Sequence, residues 1–287
     1  MVRKLWVIAG VALILVGVAG IASYNWRTGG DLTPVEKTWS FDNEALKRLQ
    51  IKSDYNVDIT FTKSTDGTNS IRLVGEGTET MVSDTLATEI ADGTLALDLR
   101  QKPERWFHFF DFDSFRGKEK LTISLADGAQ WESLGLKLDS GNVTITDAAI
   151  AAPRSTTIDI DSGNVTLNRF KGGELDIDID SGNVTANGLE ANVTVDADSG
   201  NMRLNDVAGT ADLSVDSGNI KLYKLTNAET NIEADSGNVY VQVPADFAGF
   251  YDAQADSGRV KHPESKRLTN DYVKVRADSG NITIEQK

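Results

Sequence analysis

One tetrapeptide governs what this chain can become. Asp-Ser-Gly-Asn begins at Asp139, Asp161, Asp180, Asp198, Asp216, Asp235 and Asp278, and Asp256 opens the variant Asp-Ser-Gly-Arg. Successive copies are 22, 19, 18, 18, 19, 21 and 22 residues apart, close to one coil of a β-solenoid and about half of the roughly 40 residues in a propeller blade. Pro153, Pro244 and Pro263 fall in the three longest intervals, which places the length variation in loops. Strict alternation flanks the copies, as in Ile158-Asp-Ile160 before one and Val165-Thr-Leu167 after it. Period two with β-branched residues means half-buried strand, apolar side chains inward and Asp, Thr, Lys and Arg outward. Ser-Gly suits a tight turn in which glycine takes positive φ, and Asp can accept N–H groups of its own turn.

These observations predict an all-β fold, a parallel β-helix (β-solenoid) of about 18–22 residues per coil. One coil buries too little to be stable alone, whereas coils stacked about 4.8 Å apart share a continuous core and align like residues in columns. A two-residue hairpin at every copy, with Asp161 facing Asn164, is the alternative topology. Upstream the pattern fades: 51–59 and 90–97 resemble damaged copies, and Leu121-Thr-Ile123-Ser-Leu125 alternates again. The domain plan is an anchor over 1–26, a linker over 27–36, a divergent N-terminal β region over 37–133 and regular repeats over 134–287. Residues 41–49 are expected to form a short helical cap, and the C-terminal coil is expected to leave an open edge for a partner or a second copy.

Residues 5–24 contain no charged side chain, and twenty helical residues span about 30 Å, the thickness of the hydrocarbon core. Arg3 and Lys4 precede this stretch, so the positive-inside bias predicts a single-pass protein of the cell membrane with its C-terminal domain extracytoplasmic. A cleaved signal peptide is the alternative, with small residues at Gly20 and Ala22 as the cleavage site.

After residue 30 the formal charge is −17, against −14 for the 287-residue chain, which argues against nucleic acid as a partner. Without cysteine there is no disulfide, thiolate nucleophile or Cys-ligated metal. Eight Asp residues in one column would repel by roughly 0.8 kcal/mol per neighbouring pair even at water-like screening. Hydrogen bonds within each turn and an amide ladder of the Asn residues are one compensation, and a bridging Ca²⁺ is another. No metal ligand, cofactor or catalytic residue is assigned, because repeated acids are not a singular catalytic pair and the scattered cations Arg203 and Lys221 read as a solvated face. Trp106, Phe107, Phe109, Phe110, Phe112 and Phe115 crowd into ten residues. They form either an apolar plug or an exposed partner-binding loop, with His108 as a pH-sensitive contact.

At the Asp-Ser-Gly-Asn-Val-Thr copies behind one N-terminal membrane segment, the sequence resembles the bacterial putative-adhesin family of unknown function, over about residues 37–287. The resemblance implies a β-solenoid envelope protein, some relatives being associated with envelope-stress signalling or antimicrobial-peptide response. The expectation is a non-catalytic, membrane-tethered scaffold whose acidic surface meets an envelope protein, a cell-wall component or a cationic peptide, with homo-oligomerisation through the C-terminal coil. A carbohydrate-active β-helix enzyme and a Ca²⁺-dependent surface repeat protein are the alternatives.

Overall fold

At each Ser-Gly corner the backbone of one copy rests directly on the backbone of the next. An added Cβ on Gly163 (φ +153) would stand 1.6 Å from the Gly141 carbonyl oxygen, and one on Gly182 (φ +151) would stand 1.5 Å from that of Gly163. No side chain fits there, which is why this place in the quartet is always glycine. In the computed structural model, which describes residues 32–100 and 118–287, these corners superpose along one axis and the fold is all-β and solenoid-like.

The elements are β1 (Thr33–Phe41), β2 (Arg48–Ser53), β3 (Asn56–Lys63), β4 (Asn69–Gly77), α1 (Glu79–Ala87), β5 (Thr94–Asp98), β6 (Lys118–Leu125), β7 (Ser133–Thr146), β8 (Ser155–Val207), β9 (Ala211–Lys224), β10 (Thr230–Ser236), β11 (Val239–Val243), β12 (Phe250–Ser257), β13 (Val260–Lys261), β14 (Tyr272–Ser279) and β15 (Ile282–Gln286). Several strands run unbroken through a corner. Pairing between successive copies is parallel and in register: Ser140 opposes Ser162 and Val143 opposes Val165, while Ser199 opposes Ser217 and Asn201 opposes Asn219. A hairpin would instead pair the two flanks of one copy antiparallel. In one coil Leu175, Ile177 and Ile179 point inward before the corner, Val184 and Ala186 after it, and Leu189 and Ala191 on the return. One hydrophobic core extends from Trp39 to Ile284.

The first coils are built from β2 and β3, which pair in parallel with the two halves of β7. Residues 51–59 therefore do form a degenerate copy. Residues 90–97 do not, because Ala91 and Thr94 bridge in a turn before β5, and β5 then lies parallel to β2. β6 adds to β3 in parallel, after which β4 and β1 follow antiparallel. The expected helical cap at 41–49 is absent: Phe41 ends β1, and Leu49 lies in β2. Alternation of buried Val35, Lys37, Trp39 and Phe41 favours strand from Thr33, within the stretch assigned to the linker. The helix is α1, capped by Thr78 Oγ1, which accepts from the Met81 N–H at 3.3 Å. Buried Lys37 donates to the carbonyl of Leu86 at 2.8 Å, and Trp39 Nε1 donates to that of Thr88 at 2.8 Å, so the C-terminus of α1 is tied to β1.

Glu119 interrupts the core here. Its side chain points inward opposite Val57 and is fully buried. Ser53 Oγ lies 3.5 Å from Oε2, and Oε1 has no partner. Burial pushes its carboxyl from an ordinary 4.5 up to about 7.

The other end departs from chain order. β14 pairs with β10 on one side and with β12 on the other, and β15 lies between β11 and β13. The last coil in sequence is thus wedged one rung inside the stack, and the outermost rung is 250–261. The expected open edge at the C-terminal coil is corrected accordingly over most of its length, because 273–283 is paired on both sides except at the corner, and 284–286 keep one edge unpaired. On the outermost rung Ala253, Ala255 and Val260 are only partly buried, whereas their counterparts Val275, Ala277 and Ile282 are buried. Residues 262–271 return across this end: Ser265 Oγ accepts from the Tyr251 N–H at 2.9 Å, and the His262 ring stacks 5.8 Å from Tyr251.

Among the described residues no helix is long and apolar enough to cross a membrane. The expected membrane helix at 5–24 and the aromatic cluster of Trp106, Phe107, Phe109, Phe110, Phe112 and Phe115, with His108, lie outside the described residues.

Candidate functional site: two faces of a ladder

Parallel stacking turns a repeated residue type into a column, so the two sides meeting at the Ser-Gly corner acquire different chemistry. The corner itself is held by asparagine. Asn164 Nδ2 donates to Asn142 Oδ1 at 2.7 Å, Asn183 to Asn164 at 2.8 Å, Asn201 to Asn183 at 3.1 Å, and Asn219 to Asn201 at 3.0 Å. The ladder begins at Asn56, which accepts from Asn142 at 3.0 Å. It continues through Asn238 and Asn281, and its last acceptor, Asn281 Oδ1, takes the Arg259 backbone N–H at 3.1 Å. Position 259 is on the outermost rung, so no later rung needs an acceptor there and arginine replaces asparagine without breaking the ladder.

Before the corner the outward positions are acidic. Asp176, Asp178, Asp180, Asp196 and Asp198 are all exposed on two consecutive rungs, and none of them has an ion-pair partner among the described residues. Toward the ends cations intervene, Lys137 with Asp159 at 2.5 Å and Arg276 with Asp252 at 2.6 Å. Partial burial, followed by repulsion from Asp159, Asp196, Asp180 and Asp176, raises the Asp178 carboxyl above the usual range. The corner Asp side chains make no hydrogen bond to their own turns; they stand in solvent, and the Asn ladder does the holding. Among the described residues no group of three acidic or imidazole side chains converges as metal ligands would.

After the corner the outward columns are mostly neutral to basic, with Asp58 on the first rung and Glu285 near the far end, and line a shallow trough. One section of about 600 Å³ is bordered by Asn142, Thr144, Asn164, Thr166, Asn183 and Thr185. The next, about 610 Å³, is bordered by Arg203, Lys221, Tyr240 and Thr283 along with their ladder asparagines. The Tyr223 and Tyr240 rings lie 5.6 Å apart, and the Arg203 guanidinium sits 5.2 Å over Tyr223. A third section of about 700 Å³ reaches Asn205, Asp206, Gln242 and Lys287. Beneath its wall Lys224 takes the inward place of Val207, donates to the Gly209 carbonyl, and is lowered by burial to about 8. The reading of Arg203 and Lys221 as a solvated face passes over this grouping, although the sequence carries its signal: Arg203, Lys221, Tyr240 and Thr283 all stand two residues after a ladder asparagine.

A family model described as Toastrack DUF4097 matches residues 46–285. A crystal structure of a putative adhesin from Bacteroides fragilis NCTC 9343 is similar at 16% identity, with 88% of this chain and 97% of that chain covered and a TM-score of 0.47. One of a putative lipid binding protein from Parabacteroides distasonis ATCC 8503 is similar at 18% identity, covering 88% and 97%, with a TM-score of 0.43. One of a putative cell adhesion protein from Clostridium sporogenes ATCC 15579 is similar at 12% identity, covering 89% and 100%, with a TM-score of 0.27. No curated protein matches the chain.

Proposed function

The chain belongs to the Toastrack DUF4097 family, and on that premise we propose that it is a non-catalytic, membrane-tethered extracytoplasmic scaffold of the adhesin type. Its stack acts as a parallel β-helix of about 18–22 residues per coil that presents the acidic side to cationic peptides or basic segments of envelope proteins. Residues 5–24 are the tether. The observation that carries the reading is the block of five unpaired carboxylates at Asp176, Asp178, Asp180, Asp196 and Asp198. Unneutralised charge of one sign on a rigid surface concentrates counter-charged ligands and speeds their arrival. A folding role does not require these acids, since the inward residues and the asparagine ladder hold the coils.

A lysine- and arginine-rich amphipathic peptide titrated against the full-length protein should bind on the order of tenfold more weakly at physiological ionic strength than at low salt. Replacing Asp176, Asp178 and Asp196 together by Asn should remove most of that salt dependence while the protein stays folded. Salt-insensitive binding, or undiminished binding by the triple variant, rejects the acidic side as the site.

A further inference from the structure

We propose that the trough on the other side of the corner binds an acidic glycan, a sugar chain carrying sparse carboxylate or phosphate groups, laid along the stack. Arg203 and Lys221 grip its anionic group, and the Tyr240 ring receives a sugar. Arg203 and Lys221 oppose one another in register on adjacent rungs, both exposed. Neither has a carboxylate partner among the described residues, in a chain whose net charge is −14. Two unneutralised cations stacked side by side repel each other, and an anion placed between them relieves the repulsion with charge-assisted hydrogen bonds. Tyr240 follows Lys221 in the same column. Glu285, beside that column, is already engaged by Tyr240 Oη at 2.9 Å and Lys287 at 2.7 Å, and Asp206, which borders the third section with Arg203, forms no ion pair with either cation among the described residues.

The rest of the trough specifies a sugar polymer. Thr144, Thr166 and Thr185 make no side-chain hydrogen bond among the described residues, and each ladder amide has a second N–H beyond the one given to the ladder. The ladder amides recur every rung, and two rungs cover about 9.6 Å, close to one disaccharide of an extended β-linked glycan. Tyrosine faces offer the flat apolar contact a pyranose ring needs. Densely charged polyanions are disfavoured because Asp198 and Asp216 stand on the same two rungs just across the corner. The proposal is independent of peptide binding on the acidic side.

The test is isothermal titration of the full-length protein in neutral detergent with four probes: a β-1,4-mannohexaose in which one unit is a mannuronate, a β-1,4-mannohexaose bearing one 6-phosphate, the unmodified mannohexaose and an oligothymidylate. One or both anionic sugars should bind, the neutral sugar about tenfold more weakly or not at all, and the two anionic arms identify which group is read. Combined Arg203→Gln and Lys221→Gln should weaken the anionic sugar by about tenfold or more, and Tyr240→Ala should weaken every sugar. Lys52→Gln, which removes a cation from β2, should change nothing. Melting temperatures verify folding of each variant, and amide protection on the native protein supplies a variant-free readout, expected at residues 201–223 and 238–242. Absence of binding by both anionic sugars, equal affinity for the neutral sugar, tighter binding of the oligonucleotide, unaltered binding by the folded double variant, or protection confined to 176–198 overturns the proposal.

Discussion

Glu119 shows how one misplaced charge sets a pH response. Its neighbours in the inward column, Val57 and Val143, are apolar, and the folded protein raises its carboxyl from 4.5 to about 7. Below pH 4.5 the group is protonated folded and unfolded, and it costs least. As pH rises from 4.5 to about 7 the unfolded chain ionises while the folded one holds its proton, so unfolding becomes easier, by on the order of 3 kcal/mol in all. Above that the loss levels off. Urea denaturation at pH 5 and pH 8 should show this decline, and Glu119→Gln should flatten it; a Glu119→Gln variant with the full native decline would assign the effect elsewhere. The glycine corner was legible in sequence because backbone contact tolerates no Cβ. Glu119 was not legible, since Lys118-Glu-Lys120 reads as exposed polar until β6 pairs with β3 and alternation turns the middle residue inward.

Among elements, the asparagine ladder is the part whose register the sequence disclosed most fully and whose energetics it misassigned. The spacing placed asparagines in a column, and they do bond rung to rung. The expectation that Asp capped each turn failed because the ladder amides and the backbone N–H groups above them already satisfy the corner, as Asn201 N–H does at 3.2 Å on Asn183 Oδ1. Asn201→Ala deprives both the rung below and the Asn219 amide of a partner and should cost about 1–2 kcal/mol. Arg259→Asn, at the outermost rung, should change stability by no more than about 0.5 kcal/mol. Comparable losses at the two positions in chemical denaturation would show that the ladder is not what holds the corner.

For the whole molecule, order along the chain and order along the axis part company at 250–286. Sequence could not reveal this, because Asp256 and Asp278 open nearly identical quartets and either coil fits either rung by alternation. Two faint signals were Arg259 in place of asparagine and the 22-residue interval that carries the charged return 262–271. The difference is measurable by hydrogen exchange. β14 and the start of β15, although late in the chain, are paired on both edges and should exchange slowly, whereas β12 and β13 are paired on one edge over a thinner core and should exchange first. Faster exchange at 273–283 than at 251–260 would contradict the wedged arrangement.

A tail locked between two earlier rungs also limits how such a protein can change size over generations. Duplicating the terminal coil would give two segments competing for one slot, so lengthening at that end is blocked. Between residues 180 and 234, where neighbouring copies are 18 or 19 residues apart and chain order equals axial order, a unit can be gained or lost without disturbing either terminus. Descendants of this gene should differ in length through that midsection, each insertion extending both faces by one rung.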